Sequence, residues 1–295
     1  MRLAFLASRD TLPGSPTRRV DAFEHDQMMD FLEAAFTRHG ASVEAVSWDD
    51  ASADWAAYDA VMIGTAWDYQ DRLEEFLATL ARIEAVTRLY NPRALVAWNA
   101  DKRYLRDLEE KGVRLIPTRW ADRVTEDVVA AAFADFDTDE LVVKRQVGAG
   151  AAGQHKLHPG DPVPHMPEPM MIQPFLKAIV EEGELSFIFI GGAFSHALLK
   201  TAAAGDYRIQ SCYGGQETPV VPDDADIKAA AHALSALEAA PLYARVDMIR
   251  AEDGTLRLME MELIEPFLYP LQGPELGERL YQAIAARVGT DTKGS

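Results

Sequence analysis

The chain has 295 residues, 48% hydrophobic and 26% charged, which is enough for a globular protein to bury a sizeable core and divide into two or three lobes. Its 47 Asp and Glu against 29 Lys and Arg leave a formal charge of −18; this argues against nucleic acid or an anionic membrane surface as the main partner, and any anionic ligand must meet a local basic pocket. Cys212 is the one cysteine, so an internal disulfide is excluded and a reducing compartment is expected.

The opening run MRLAFLASRD is too short in apolar residues for a signal peptide, and no stretch approaches the roughly 20 of a membrane span, so a cytoplasmic protein is expected. Leu3 to Ala7 reads as a buried strand, Asp21 to His39 as a helix ended by Gly40, and Val43 to Trp48 and Tyr58 to Gly64 as further strands. This alternation predicts an open α/β lobe over residues 1–90. Without GxGxxG it is not a dinucleotide site. At the carboxyl end of the third strand, where open α/β sheets bind ligands, stand Trp67, Asp68 and Tyr69. They are candidate substrate contacts; in the alternative, Asp68 caps a helix over Arg72 to Ile83 while the aromatics pack.

Asn91-Pro92 closes that lobe. A helix is expected from about Asp101 to Lys111, and Lys102 at its start opposes the macrodipole, as a ligand-binding lysine would. Val113 to Ile116 reads as a strand, and so does Leu141 to Lys144. The latter ends in a lysine and is followed by Gly148-Ala149-Gly150-Ala151-Ala152-Gly153, a loop small enough for backbone N–H groups to approach an anion. It is not a Walker A sequence. Met170 to Gln173, Glu184 to Ile190 and Phe194 to Lys200 are expected strands, the last two joined at Gly191-Gly192. The loop Thr201 to Gln216 carries Arg208 and Gly214-Gly215 and reads as a lid. Helices over Ala225 to Ala239 and Pro274 to Val288 follow, then a disordered tail, 290–295.

Between those helices lies YARVDMIRAEDGTLRLMEMELIE, Tyr243 to Glu265. With Asp253-Gly254 as a two-residue turn, Asp247 falls opposite Glu260 and Arg245 opposite Glu262, all on one face. Val246 and Met248 face Met261 and Met259 on the other, a core surface. Carboxylates opposed across a ladder repel. A hard cation such as Mg²⁺, which takes carboxylate oxygens and substrate phosphates, would compensate. An exposed hairpin with an Arg245–Glu262 ion pair is the plain alternative, weakened by the large apolar residues around the acids. The seven histidines lack HExxH or paired zinc spacing, so a zinc enzyme is not expected.

The order Lys102, Lys144, glycine loop, Gln173-Pro174-Phe175, Glu184, Lys200, Arg208 and then Arg-x-Asp with Glu-x-Glu resembles the ATP-grasp superfamily. It looks nearest to the glutathione synthetase and D-alanine–D-alanine ligase branch, over about Asn91 to Gly289. The stretches GTAWDY, NPRALVAWNADKRYL, QPFLKAIVEEGELSFIF, FSHALLK, GDYRIQSCYGG and ELIEP are more narrowly similar to the cyclo-ligases of D-cycloserine biosynthesis and their relatives. The resemblance implies an α/β (α+β) ATP-grasp fold with three lobes: 1–90, a central 91–170 bearing the glycine loop, and a C-terminal 171–289 bearing the metal hairpin.

It further implies that Lys102, Lys144 and the loop glycines Gly148, Gly150 and Gly153 touch ATP phosphates. Gln173, Phe175 and Leu176 would lie against adenine with Met259 nearby, and Glu184 would bind ribose. Lys200 would reach the γ-phosphate end. Asp247, Glu260 and Glu262 would hold two Mg²⁺ ions, with Mn²⁺ as a substitute, while Arg208 and Arg245 steady an acyl phosphate and tetrahedral intermediate. Small-molecule carboxylate and amine substrates follow, without nucleic acid or membrane, and a homodimer is compatible. The implied reaction is ATP-dependent carboxylate–amine ligation, open to ring closure within one substrate; the alternative is an ATP-binding regulator or phosphotransferase that forms no amide. Phosphoryl transfer needs positioned cations rather than a protein nucleophile, which this set supplies.

Overall fold

The computed structural model describes residues 1–148, 153–203, 205–209 and 214–290. Gly150 of the glycine loop, Cys212 and the tail from 291 onward lie outside the described residues.

The first 90 residues form β1 (Arg2–Ala7), α1 (Phe23–Arg38), β2 (Ser42–Ser47), β3 (Ala60–Thr65), α2 (Leu73–Glu84) and β4 (Arg88–Tyr90). The strands make a parallel sheet in the order β2-β1-β3-β4. Residues 3–7 of β1 are all buried, as expected for a parallel strand covered on both faces. Leu3 and Phe5 face a core shared with α1, while Ala4 and Leu6 face Phe76 and Leu80 of α2. Gly64 is glycine for a steric reason: a Cβ there would lie 2.1 Å from the Phe5 ring.

Next come α3 (Arg93–Asn99), α4 (Tyr104–Glu110), β5 (Arg119–Ala121), α5 (Glu126–Phe136), β6 (Leu141–Arg145), β7 (His155–Leu157) and β8 (Met170–Pro174). The antiparallel order is β5-β8-β6-β7. Lys102 sits in the turn between α3 and α4, not at the start of one long helix, and its N–H donates to the Gln146 carbonyl at 2.8 Å. Val113 to Ile116 forms no strand. It passes the edge of a neighbouring sheet, with one bridge at Leu115 and one bond from Leu258 N–H to the Arg114 carbonyl at 2.8 Å.

The remainder comprises α6 (Ala178–Glu181), β9 (Glu184–Ile190), β10 (Ala193–Thr201), β11 (Gln216–Val220), α7 (Asp224–Ser235), β12 (Tyr243–Arg250), β13 (Leu256–Glu262) and α8 (Leu276–Thr290). Its antiparallel sheet runs β11-β10-β9-β12-β13. The segment expected as a long lid is an excursion between paired strands, since β11 returns onto β10 with Lys200 opposite Glu217. The helix α8 takes in Thr290, the first residue assigned to the tail.

The hairpin β12–β13 has the expected pairs Arg245–Glu262, Val246–Met261 and Asp247–Glu260. Its turn is not the two-residue turn expected. Arg250 pairs with Leu256, leaving 251–255 as the loop, and the register shifts by one between Asp247 and Met248. Met259 is therefore the extra residue of a β-bulge. The longer turn and the bulge offset one another, so the inner register survives.

Candidate active site

A cleft of about 640 Å³ opens between the β5–β8 sheet and the five-stranded sheet, a size suited to a nucleotide-scale ligand. Its charged floor is set by strand register. Lys200 pairs with Glu184 across β10 and β9, Asp247 with Ser186 across β12 and β9, and Asp247 with Glu260 across the hairpin. Lys200 Nζ lies 2.5 Å from Glu184 Oε1 and 3.3 Å from Asp247 Oδ1. The first contact is ionic rather than an aligned hydrogen bond, and that Oε1 accepts no other. Arg245 Nε donates to Asp247 Oδ2 at 3.0 Å, while its Nη2 pairs with Glu262 and Nη1 donates to the Phe267 carbonyl at 3.2 Å. Ser186 also donates to Asp247.

Burial works against every charge on this floor, and the partners decide which groups keep theirs. For Asp247, Arg245 and Lys200 outweigh burial and hold its carboxyl below the ordinary range. Lys200 is raised, because Asp247 and Glu184 overcome its desolvation. Burial dominates at Glu184 and Glu262, and their carboxyls rise to about 7 despite Lys200 and Arg245 respectively. Lys144, also lining the cleft, is pushed down by burial.

Lys102 Nζ donates to the Gly148 carbonyl at 2.5 Å and lies 2.7 Å from Glu260 Oε1, so it links the start of the glycine loop to β13. Gly153 has φ +70°, and a Cβ there would come within 2.5 Å of Arg145 Nε. Phe175 is flanked by Lys156, 3.6 Å above its ring, and by the edge of Tyr207. Together with Leu176, Ile116, Ile249 and Met259 it forms an apolar wall. The bulge puts Met259 there; without it, strand alternation would send this side chain to the core, as the two-residue turn required. Gln173 lies 3% exposed at the cleft and donates to Thr118 Oγ1 at 2.9 Å. Arg208 also lines the cleft, forked onto Asp206.

The aromatic triplet divides. Trp67 lines the cleft and donates from Nε1 to the Glu265 carbonyl at 3.2 Å. Tyr69 packs in the core against Phe76, out of a substrate's reach. Asp68 makes no side-chain cap. It accepts from Trp48 Nε1 at 2.6 Å, beside Arg72, and so is structural. Gly214 and Gly215 are not part of the cleft wall.

Among the cleft residues that the sequence does not single out are Glu265, Tyr269 and Glu217. Glu265 stands in the ELIEP stretch, whose charged residue between apolar neighbours was the available signal. Tyr269 has φ 52°, an uncommon conformation for an aromatic residue, and nothing in the sequence marks it.

The family model described as the N-terminal domain of D-cycloserine synthetase DcsG matches residues 3–91. The cycloserine biosynthesis protein DcsG of Streptomyces lavendulae is 32% identical over 282 residues, 88% of this chain and 93% of that protein. The chain belongs to the DcsG family of ATP-grasp ligases. The crystal structure of D-cycloserine synthetase DcsG superposes with a TM-score of 0.82 at 27% identity, covering 98% of this chain and 100% of that one. PsnB, an ATP-grasp ligase complexed with a variant of its minimal precursor, Mg and ADP, gives 0.67 at 16% over 97% and 98%. D-alanine–D-alanine ligase from Bacillus anthracis complexed with ATP gives 0.66 at 14% over 99% of each chain. The last two likenesses show the shared fold.

In this ligase, no three acidic or histidine side chains among the described residues converge into a ready metal cage. Mg²⁺ does not need one, since it takes one or two carboxylates and completes its shell with water and phosphate. Glu260 and Glu262, with side chains 32% and 27% exposed, suit that role. Asp247 is 3% exposed and already surrounded by Ser186, Arg245 and Lys200, which makes it the poorer donor. Among the described residues no helix is long and apolar enough to cross a membrane.

Proposed function

We propose that this ligase activates the carboxylate of a small amino-acid-like substrate with ATP and closes an amide within the same molecule. The substrate carboxylate oxygen attacks the γ-phosphorus and ADP departs. An amine of that substrate then attacks the acyl carbon, inorganic phosphate leaves, and the amine proton passes to water or phosphate. The relatives named D-cycloserine synthetase and cycloserine biosynthesis protein support ring closure. The observation that carries the reading is the run of paired cations across the cleft floor: Lys102 on Glu260, Lys200 on Glu184 and Asp247, Arg245 on Asp247 and Glu262.

Lys102, Lys144 and the loop glycines hold phosphate oxygens, with Lys200 at the γ end. The wall of Phe175, Leu176 and Met259 receives adenine, and Glu184 keeps its Oε2 for a ribose hydroxyl. Arg245 and Arg208 spread positive charge over the acyl phosphate and the tetrahedral oxygen, where charge develops. Glu260 and Glu262, with Asp247 behind them, would be the donors for two Mg²⁺ ions, which would supply positive charge to offset that of the phosphates. The segments 1–90, 91–170 and 171–289 act as the three lobes around this cleft.

ADP release against a panel of amino acids and amino-oxy acids identifies the substrate, and a carboxylate ¹⁸O label then tests the path. One labelled oxygen should appear in the released phosphate. Turnover with unlabelled phosphate would rule out the acyl phosphate.

A further inference from the structure

Past Glu262 the chain leaves the sheet as a strap, 263–268, that no strand pairs with, yet most of its carbonyls are held by side chains. Asn91 Nδ2 donates to Leu263 O at 2.8 Å, the Tyr243 hydroxyl to Ile264 O at 2.7 Å and Trp67 Nε1 to Glu265 O at 3.2 Å. Arg245 Nη1 donates to Phe267 O at 3.2 Å and His196 Nε2 to Leu268 O at 3.0 Å. Backbone held this way has one conformation.

The side chain so aimed is Glu265. It is 9% exposed and lines the cleft. Among the described residues its carboxylate has no hydrogen bond or ion pair to another side chain, unlike Asp247, Glu260 and Glu262, each of which faces a lysine or arginine. Burial pushes its carboxyl well up, and Glu262 and Glu260 add to the effect. Lys102 and the Glu265 backbone N–H offset this only in part, and a rigidly placed, buried carboxylate with no cation paired to it directly is costly unless a ligand completes it. Trp67, bonded to the Glu265 carbonyl, lines the cleft with it; its ring is covered by Arg19 at 5.4 Å, with Arg19 in turn forked onto Asp21.

We propose that Glu265 is a specificity residue that receives a primary ammonium group of the substrate, one distinct from the nitrogen that attacks the acyl carbon, so the substrate is a small carboxylic acid with a second, non-reacting amine. The inference rests on the ligase reading above. An ammonium is a compact cation with three donors and suits one fixed carboxylate beside further acids. It also gives the site a means of rejecting deaminated analogues, whose binding would leave Glu265 unpaired.

The test uses the full chain loaded with MgADP and titrated calorimetrically with alaninamide, which carries the ammonium, and with propionamide, which lacks it. Alaninamide is expected to bind at least about tenfold more tightly than propionamide, the scale of one charged hydrogen bond. Glu265→Gln, nearly isosteric, is expected to abolish that preference while MgADP affinity stays at the wild-type level, and Glu265→Asp to restore part of it. Equal binding of the two amides by wild type overturns the proposal whether or not a variant folds. So does a Glu265→Gln protein that keeps the preference, or one that loses MgADP together with alaninamide, which would place Glu265 on the nucleotide instead. Failure of the ligase path is read separately, by unlabelled phosphate in the isotope experiment despite an intact amide preference.

Discussion

The side chain of Asn99 stands in for a neighbouring strand beside Leu263. Its Oδ1 accepts the Leu263 N–H at 3.0 Å, and its Nδ2 donates to the Met261 carbonyl at 2.8 Å. Next to it, the Tyr104 hydroxyl accepts the Met261 N–H at 2.7 Å. β13, which carries Glu260 and Glu262, is the edge strand of its sheet, and these side chains occupy the edge that a further strand would otherwise fill. The acid-bearing strand is thereby fixed from a segment distant in sequence.

Asn99→Ala should leave one buried N–H and one buried carbonyl without partners, at a cost of about 1–3 kcal/mol for each group. We expect a loss of about 2–4 kcal/mol in urea unfolding, together with faster amide exchange at Leu263. A loss below about 0.5 kcal/mol would mean that the edge is held by other contacts.

Glu260→Gln should abolish substrate-dependent ADP release while the chain still folds. The residue is partly exposed and its partner Lys102 keeps the Gly148 carbonyl, so the change in thermal midpoint should be small. Wild-type turnover in this variant would remove Glu260 from the metal-binding set.

Deleting Met259 removes the bulge and leaves Leu258, Glu260, Met261 and Glu262 in regular alternation. Glu260 and Glu262 should therefore remain on the cleft side, and the only side chain lost is one that packs with Ile249 and Ile116. We expect a folded protein, destabilised by about 1–3 kcal/mol, whose ATP affinity falls. Unchanged ATP affinity would exclude Met259 from the adenine wall.

His25 lies 1% exposed, its Nδ1 2.6 Å from Thr65 Oγ1, and burial lowers its pKa from 6.5 to about 4. Between those values the unfolded chain takes up a proton that the folded chain refuses. Stability from this residue is therefore complete above pH 6.5 and is lost as the pH falls toward 4, by up to about 3 kcal/mol. His25→Gln should flatten that part of the pH–stability curve; an identical slope in both proteins would show that His25 does not contribute to it.

How far the sequence reaches is clearest in the hairpin. Alternation alone placed Arg245, Asp247, Glu260 and Glu262 on one face, because a strand's period of two admits little else. It could not show that the turn has five residues or that Met259 bulges, because the two irregularities cancel in the register of the inner pairs. Tyr69 stayed open between cleft and core for a related reason: a short aromatic run after a strand is the same string whether it lines a cleft or fills a core, and only Phe76 of α2 decides.

By itself the sequence determined which residues carry charge, which faces are apolar and the order of the lysines, glycines and acids along the chain. These are properties of local periodicity and composition. The tertiary structure alone decided which cation meets which acid, that β13 is held at its edge by Asn99 and Tyr104, and that Glu265 reaches the cleft with no side-chain partner among the described residues. Each of these depends on contacts between segments far apart in the chain, whose approach no local pattern encodes.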